Sequence, residues 1–250
     1  MRSLPEGKPL DKDLKREAVI QAGAGLGATV LLGWLAHTAL GFPVAVPALA
    51  ALVFVCFIGF IFVWLPEHSP HTRLGTANRV TVYRAALVAN IAAVSAYPSV
   101  LAAHGAVITA TMAMTFALDG VDGWLARQLK QSSNFGARFD QELDALFTLV
   151  LAFALFRMEA AGVWVLIAGA WHYFYQGMKA AFPRFRTALP FSHRRRIVCG
   201  VVVASLIASS SPFLSEPSAE TLALAAVLLL SASFLIDIAW QLQRKSPVKR

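Results

Sequence analysis

Residues 119–144 read DGVDGWLARQLKQSSNFGARFDQELD and hold five of the chain's fourteen acidic residues: Asp119, Asp122, Asp140, Glu142 and Asp144. Apolar runs flank this window, about 104–124 before it and 140–157 after it. Each approaches the roughly 20 residues that a helix needs to cross a bilayer. Asp119 and Asp122 stand at i, i+3 where the first run ends, and Asp140 and Asp144 at i, i+4 where the second begins. On a helix both spacings place two side chains on one face. A short connection makes the two helices antiparallel neighbours, so four carboxylates can converge across one helix pair. Four like charges this close must be protonated or must bind cations. An all-oxygen donor set favours Mg²⁺ or Mn²⁺ over Zn²⁺. Four carboxylates could hold two such ions, and paired metals are the usual clamp for displacement at phosphorus. Gly123 and Ala126 would let a flat group approach the helix, Arg127 supplies a fixed cation suited to phosphate, and Gly136 permits a turn before the next helix. Glu142, two residues from each neighbouring motif carboxylate, points off their face and reads as structural or solvated.

Outward from this window the whole chain reads as membrane protein. Of 250 residues, 57% are apolar and only 14% charged, against about 25% charged in a soluble domain. Mean hydropathy is +0.61. So few charges cannot cover a soluble globule, which excludes a soluble enzyme, a disordered chain and a nucleic-acid-binding module despite a net charge of +8. The two cysteines, Cys56 and Cys199, lie in separate apolar runs and form no disulfide framework. Residues 1–17 mix five basic with four acidic groups, and the apolar run at about 18–40 exceeds a signal-peptide core, so it is expected to remain as a membrane helix.

Eight spans are expected, at about 18–40, 43–65, 80–99, 104–124, 140–157, 160–178, 197–214 and 220–241. The third and fourth are weak by hydropathy because they are rich in Ala and Thr. With both termini cytoplasmic, the inside segments carry 21 of the 22 Lys and Arg residues, Arg157 being the exception. The positive-inside rule therefore fixes an even number of helices and the orientation. The carboxylate junction then lies on the cytoplasmic side, where ionisable groups at membrane depth are functional candidates. Gly23 and Gly27 form a small-xxx-small pattern suited to helix packing. His172, Tyr173 and Tyr175, at a span end, read as an interfacial aromatic belt, whereas His68, His71 and His193 lie in loops without metal-ligand spacing. Asp237, within the last span, either pairs with a neighbouring helix or faces a cytoplasmic cavity.

The motif Asp119-x-x-Asp122-Gly123-x-x-Ala126-Arg127, eight residues, Gly136-x-x-x-Asp140-x-x-x-Asp144 resembles the signature of the CDP-alcohol phosphotransferase family at every fixed position and every spacing. Upstream, Asn78-x-x-Thr81-x-x-Arg84 resembles an element that opens the first core helix in that family. The resemblance implies an all-α polytopic membrane protein with a six-helix catalytic core over 76–241. Residues 1–75 would form a cytoplasmic N-terminus and two extra transmembrane helices, and 242–250 a basic tail. It also implies transfer of a phosphatidyl group from CDP-diacylglycerol to an alcohol, with release of CMP. Asp119, Asp122, Asp140 and Asp144 would be metal ligands, for two Mg²⁺ or Mn²⁺ ions. Asp144 would also be the base for the acceptor hydroxyl, and Gly123, Ala126, Arg127, Asn78 and Thr81 would line the CDP pocket. Arg138 and Arg195 would hold a phosphate on the acceptor, such as glycerol 3-phosphate or an inositol phosphate; the basic segment 179–196 equally suits contact with anionic lipids.

A homodimer is implied by analogy; size and topology point to a bacterial inner membrane, with the active site facing the cytoplasm. Other readings are a CDP-aminoalcohol transferase acting on a lipid acceptor, a cation transporter and a non-catalytic scaffold. Location separates the transporter: the carboxylates gather at one helix junction, and none lines a midplane path.

Overall fold

The structure, a computed structural model, describes residues 11–68, 71–129, 132–187, 189–190 and 192–243. Those residues form nine α-helices and no strand: α1 (Lys12–Leu40), α2 (Ala45–Phe62), α3 (Thr76–Val94), α4 (Pro98–Ala103), α5 (Gly105–Gln128), α6 (Asn134–Arg157), α7 (Leu166–Ala181), α8 (His193–Ser209) and α9 (Glu216–Gln243). Short 3₁₀ turns lie at Leu65–His68, Val163–Val165 and Pro183–Arg186. The chain is an all-α polytopic membrane protein, and its described residues hold eight long helices and one short one, α4.

Caps and breakers explain where the helices depart from the expected spans. Asp11 accepts from the amides of Asp13 and Leu14 at 2.9 and 3.2 Å, so α1 begins six residues earlier than its apolar run. It closes at Gly41, whose φ of +70° suits a residue without a Cβ. α3 ends at Val94 rather than 99, because Pro98 opens a separate short helix at its N1 position. The Ser133 hydroxyl accepts the Gly136 N–H at 2.9 Å and caps α6, which therefore starts at Asn134 and places Asp140 well inside it. Likewise α8 starts at His193, so Arg194, Arg195 and Arg196 belong to its first turn, and Lys179 to α7.

The described residues form two compact units, one ending at Val150 and the other beginning at Leu151, within α6. In the first, α1 packs on α2 and α3, α2 on α3, and α3 on α5. Two glycines set the approach of α1. A Cβ on Gly25 would lie 2.6 Å from the Phe54 and Val82 side chains, and one on Gly33 would lie 2.9 Å from the Pro47 backbone. Gly23 and Gly27, which formed the small-residue pattern, face open space: they sit half a turn from the contact that Gly25 makes. Asn90 clips α3 to α1 by donating to Thr29 O at 3.1 Å. α3 is buried along most of its length, and five of its buried residues are alanines: Ala77, Ala85, Ala86, Ala89 and Ala93. Alanine lets neighbouring backbones come close, and it is also why α3 has a weak hydropathy signal.

In the second unit α9 packs against α7 and α8. The Trp171 indole stacks on Phe234 with ring centres 5.4 Å apart and donates to Ser231 Oγ at 2.8 Å. Tyr175 is buried and donates to Gln241 Oε1 at 3.0 Å, so it is an interior residue and not part of an interfacial belt.

Candidate active site

Asn78, Thr81 and Arg84 are spaced by three, which brings all three to one buried face of α3. The end of α5 supplies Asp119 and Asp122, and α6 supplies Asp140 and Asp144. These elements meet at one side chain. The Arg84 guanidinium, fully buried, reaches Asp122 Oδ2 at 2.6 Å and Asp140 Oδ1 at 3.0 Å through Nη1. Through Nη2 it reaches Asp119 Oδ1 at 2.8 Å and Asp144 Oδ1 at 2.9 Å. The Thr81 hydroxyl lies 3.1 Å from the other side of Asp122 Oδ2. Sequence reasoning placed Arg84 in a motif and gave it no role. The signal was there, since Asn78, Thr81 and Arg84 share one helical face.

One guanidinium does not balance four carboxylates. Four acids make six repulsive pairs against four attractive ones, and unit charges 4 Å apart interact by about 4 kcal/mol at an effective dielectric of about 20. Two observations fit a bound cation. Carboxylate oxygens of Asp119, Asp140 and Asp144 lie within 4.8 Å of one another, and all three side chains are part-exposed. Asp122 Oδ1 is buried without a hydrogen-bond partner. A donor set of carboxylate oxygens suits a hard divalent ion.

Beside the carboxylates lies a cavity of about 240 Å³. Asn78, Thr81, Gly123, Ala126 and Arg127 all line it, with Asp122 and Asp140 at its acidic end and Ser132, Ser133 and Gly136 on the α6 side. Gly136 does not make a turn, as its position in the sequence suggested; it lies in the first turn of α6. A Cβ there would come within 2.9 Å of Asn78 Oδ1, so the missing side chain lets α6 approach α3. Glu142 is buried rather than solvated.

Arg138 and Arg195 sit in different units. Arg138 lies in α6 with its guanidinium 3.4 Å above the Trp64 ring. Arg195 bonds to Pro190 O and lies 3.5 Å from Asp237 Oδ2. The closer partner of Asp237 is Arg194, at 2.6 Å, and Arg194 also donates to Ser233 Oγ at 2.8 Å. Asp237 thus pairs with a neighbouring helix, α8.

His68 is the other residue whose place could not be read from the sequence. Assigned to a loop, it is buried in the Leu65–His68 turn. Its Nδ1 lies 2.7 Å from Ser133 Oγ and its Nε2 2.8 Å from Arg73 O. Burial chiefly holds its imidazole below the ordinary histidine value, with His71 adding to the effect and the Arg73 carbonyl and Glu17 opposing it. Nothing in the local sequence marks a partner 65 residues away.

The family model for CDP-alcohol phosphatidyltransferases matches residues 74–235, well over half of the chain. No curated protein and no solved structure matches it. The matched stretch starts just before α3 and takes in Arg84 with all four of the carboxylates it holds. With that stretch covered, and with an all-helical architecture around it, the chain belongs to the CDP-alcohol phosphatidyltransferase family, membrane transferases of substituted phosphate groups that act in phospholipid synthesis.

Proposed function

We propose that the protein transfers the phosphatidyl group of CDP-diacylglycerol to an alcohol that itself carries a phosphate, such as glycerol 3-phosphate or a polyol phosphate, and releases CMP. What supports this reading is the juxtaposition of the four-carboxylate cluster with a cavity lined by Asn78, Thr81, Gly123, Ala126 and Arg127. In it, Asn78 and Arg127 hold the CDP head, Gly123 and Ala126 leave room for its flat base, and Arg127 takes a phosphate. Asp119, Asp122, Asp140 and Asp144 hold two divalent ions, Mg²⁺ or Mn²⁺. When bound, such ions neutralise the diphosphate and stabilise charge on the leaving group. Asp144 takes the acceptor's hydroxyl proton as its oxygen bonds to the β-phosphorus. The bond from that phosphorus to the bridging oxygen breaks, and CMP departs with the electron pair. Arg84 holds all four carboxylates in register, and Arg138, in the same unit as the cluster, receives the acceptor's phosphate.

The protein acts as a homodimer in a bacterial inner membrane, with both termini and the active site cytoplasmic. That orientation gathers 21 of the 22 basic residues on one side. The test is CMP release by purified protein in nanodiscs, with CDP-diacylglycerol, Mg²⁺ or Mn²⁺, and a panel of glycerol 3-phosphate, inositol, inositol 1-phosphate, serine and choline. Metal-dependent release with a phosphorylated acceptor is expected. Release with serine or choline alone would overturn the acceptor class, and no release with any acceptor would overturn the reaction.

A further inference from the structure

The family match begins at residue 74, so α1, α2 and the connection after them lie outside it. That connection is not a passive tether. It touches the first turns of α6 at several points: Trp64 under Arg138, the His68 ring edge-on to Phe135 at 5.5 Å, His71 Nε2 3.4 Å from Ser132 O, and His68 on Ser133. α1 adds a pin on α3, where Glu17 receives Arg79 at 2.6 Å.

The polarity of the His68 contact is fixed by its surroundings. Arg73 O, 2.8 Å from Nε2, can only accept, so Nε2 carries the proton. In the neutral ring Nδ1 is then an acceptor and takes the Ser133 hydroxyl proton at 2.7 Å. Ser133 Oγ keeps a lone pair for the Gly136 N–H at 2.9 Å. This chain, from Arg73 O through His68 and Ser133 to Gly136, holds the turn of α6 that approaches Asn78. Ser133, Gly136 and Asn78 all line the cavity. Asn78 is fixed from its other side by donating to Leu74 O at 2.7 Å.

We propose that His68 is a positioning residue for the donor nucleotide: through Ser133 it sets the α6 wall of the cavity, so a segment outside the family core completes the nucleotide pocket. This rests on the nucleotide-binding reading of that cavity.

The test uses the full chain in nanodiscs with Mg²⁺. Calorimetric binding of CMP is measured beside KM and kcat for CDP-diacylglycerol. His68→Gln keeps a donor near Arg73 O and removes the acceptor at the Nδ1 position. His68→Asn keeps an acceptor there. His68→Gln is expected to weaken CMP binding and raise the donor KM about 5- to 10-fold, the worth of a net hydrogen bond, with kcat within about twofold. His68→Asn is expected to stay close to the parent. His68→Gln combined with Ser133→Ala is expected to be no weaker than Ser133→Ala alone, because both break one chain of bonds. Parent-like CMP binding by His68→Gln, equal losses in His68→Gln and His68→Asn, or full additivity with Ser133→Ala would each overturn the proposal. If the parent itself does not bind CMP, the nucleotide reading fails and this inference falls with it, an outcome distinct from intact binding in the variant.

Discussion

Arg84 Nη1 lies 2.6 Å from Asp122 Oδ2, and both side chains are almost wholly buried, at 1% and 3% exposure. This pair is the inner end of the carboxylate cluster, and the other three acids reach outward from the same guanidinium. Removing one member of a buried pair is costly, because the charge left behind has no partner. Arg84→Leu is therefore expected to lower stability by about 3–5 kcal/mol. Arg84→Lys should recover only part of that, since a single ammonium cannot span four carboxylates as the planar fork does. Thermal melts of the three proteins in nanodiscs check this, and a parent-like melt for Arg84→Leu would contradict it.

Asp140→Asn and Asp144→Asn should abolish transfer while leaving the fold intact. Both side chains are part-exposed, so the amide finds water where the carboxylate found Arg84. CMP release should fall by at least about 100-fold in each, through loss of the proposed base in Asp144→Asn and of a proposed metal ligand in Asp140→Asn. The melting temperature should stay within a few degrees. A full-rate purified variant would remove that residue from the proposed machinery.

Chelation should destabilise the protein as well as silence it. An ion that binds only the folded state adds about 2.7 kcal/mol at 100 times its Kd. Titrating Mn²⁺ into chelator-treated protein is expected to raise the melting temperature progressively. Asp119→Asn should blunt the rise, since Asp119 is one of three acids whose oxygens cluster within 4.8 Å. A melting temperature indifferent to Mn²⁺ would speak against a metal site.

His68 gives the stability a pH dependence. Burial holds its imidazole below the ordinary value of about 6.5, which the unfolded chain retains. As pH falls through about 6.5 the unfolded chain takes up the proton first. Stability is thus full above that pH and declines below it, by at most about 1.4 kcal/mol per pH unit. The parent is expected to melt progressively earlier from pH 7 to pH 5.5. His68→Asn, lacking the group, should show a shallower decline over the same interval.

Gly33→Ala should destabilise the packing of α1 on α2. Its Cβ would meet the Pro47 backbone at 2.9 Å, and a backbone cannot swing aside as a side chain can. Overpacking of this kind costs about 1–3 kcal/mol. Gly23→Ala, with open space around it, should be neutral or slightly stabilising in the same melt.

The eight long helices and the meeting of Asp119, Asp122, Asp140 and Asp144 were legible in the sequence, because hydropathy and spacings of three and four are local properties. Helix ends were less so. The start of α6 depends on a Ser133 cap, and the end of α3 on Pro98, each a single residue inside an apolar pattern that does not register it. Arg84 was half legible: its helical face could be read, but its four partners lie 35 to 60 residues away. His68 was not legible, because a buried histidine bonded to a distant serine has no periodic signature. Gly136 was misread for a related reason: a glycine spared for a close approach looks the same in sequence as one that makes a turn.

Among the described helices, α1, α2 and α9 are long and apolar enough to cross a bilayer by length and composition. α3 carries Asn78, Arg79 and the buried Arg84, and such polar groups oppose insertion into lipid. During synthesis α1 and α2 emerge first, and they are the partners that α3 packs against. The two helices outside the family match therefore supply a surface against which the Arg84-bearing helix is buried in the folded chain.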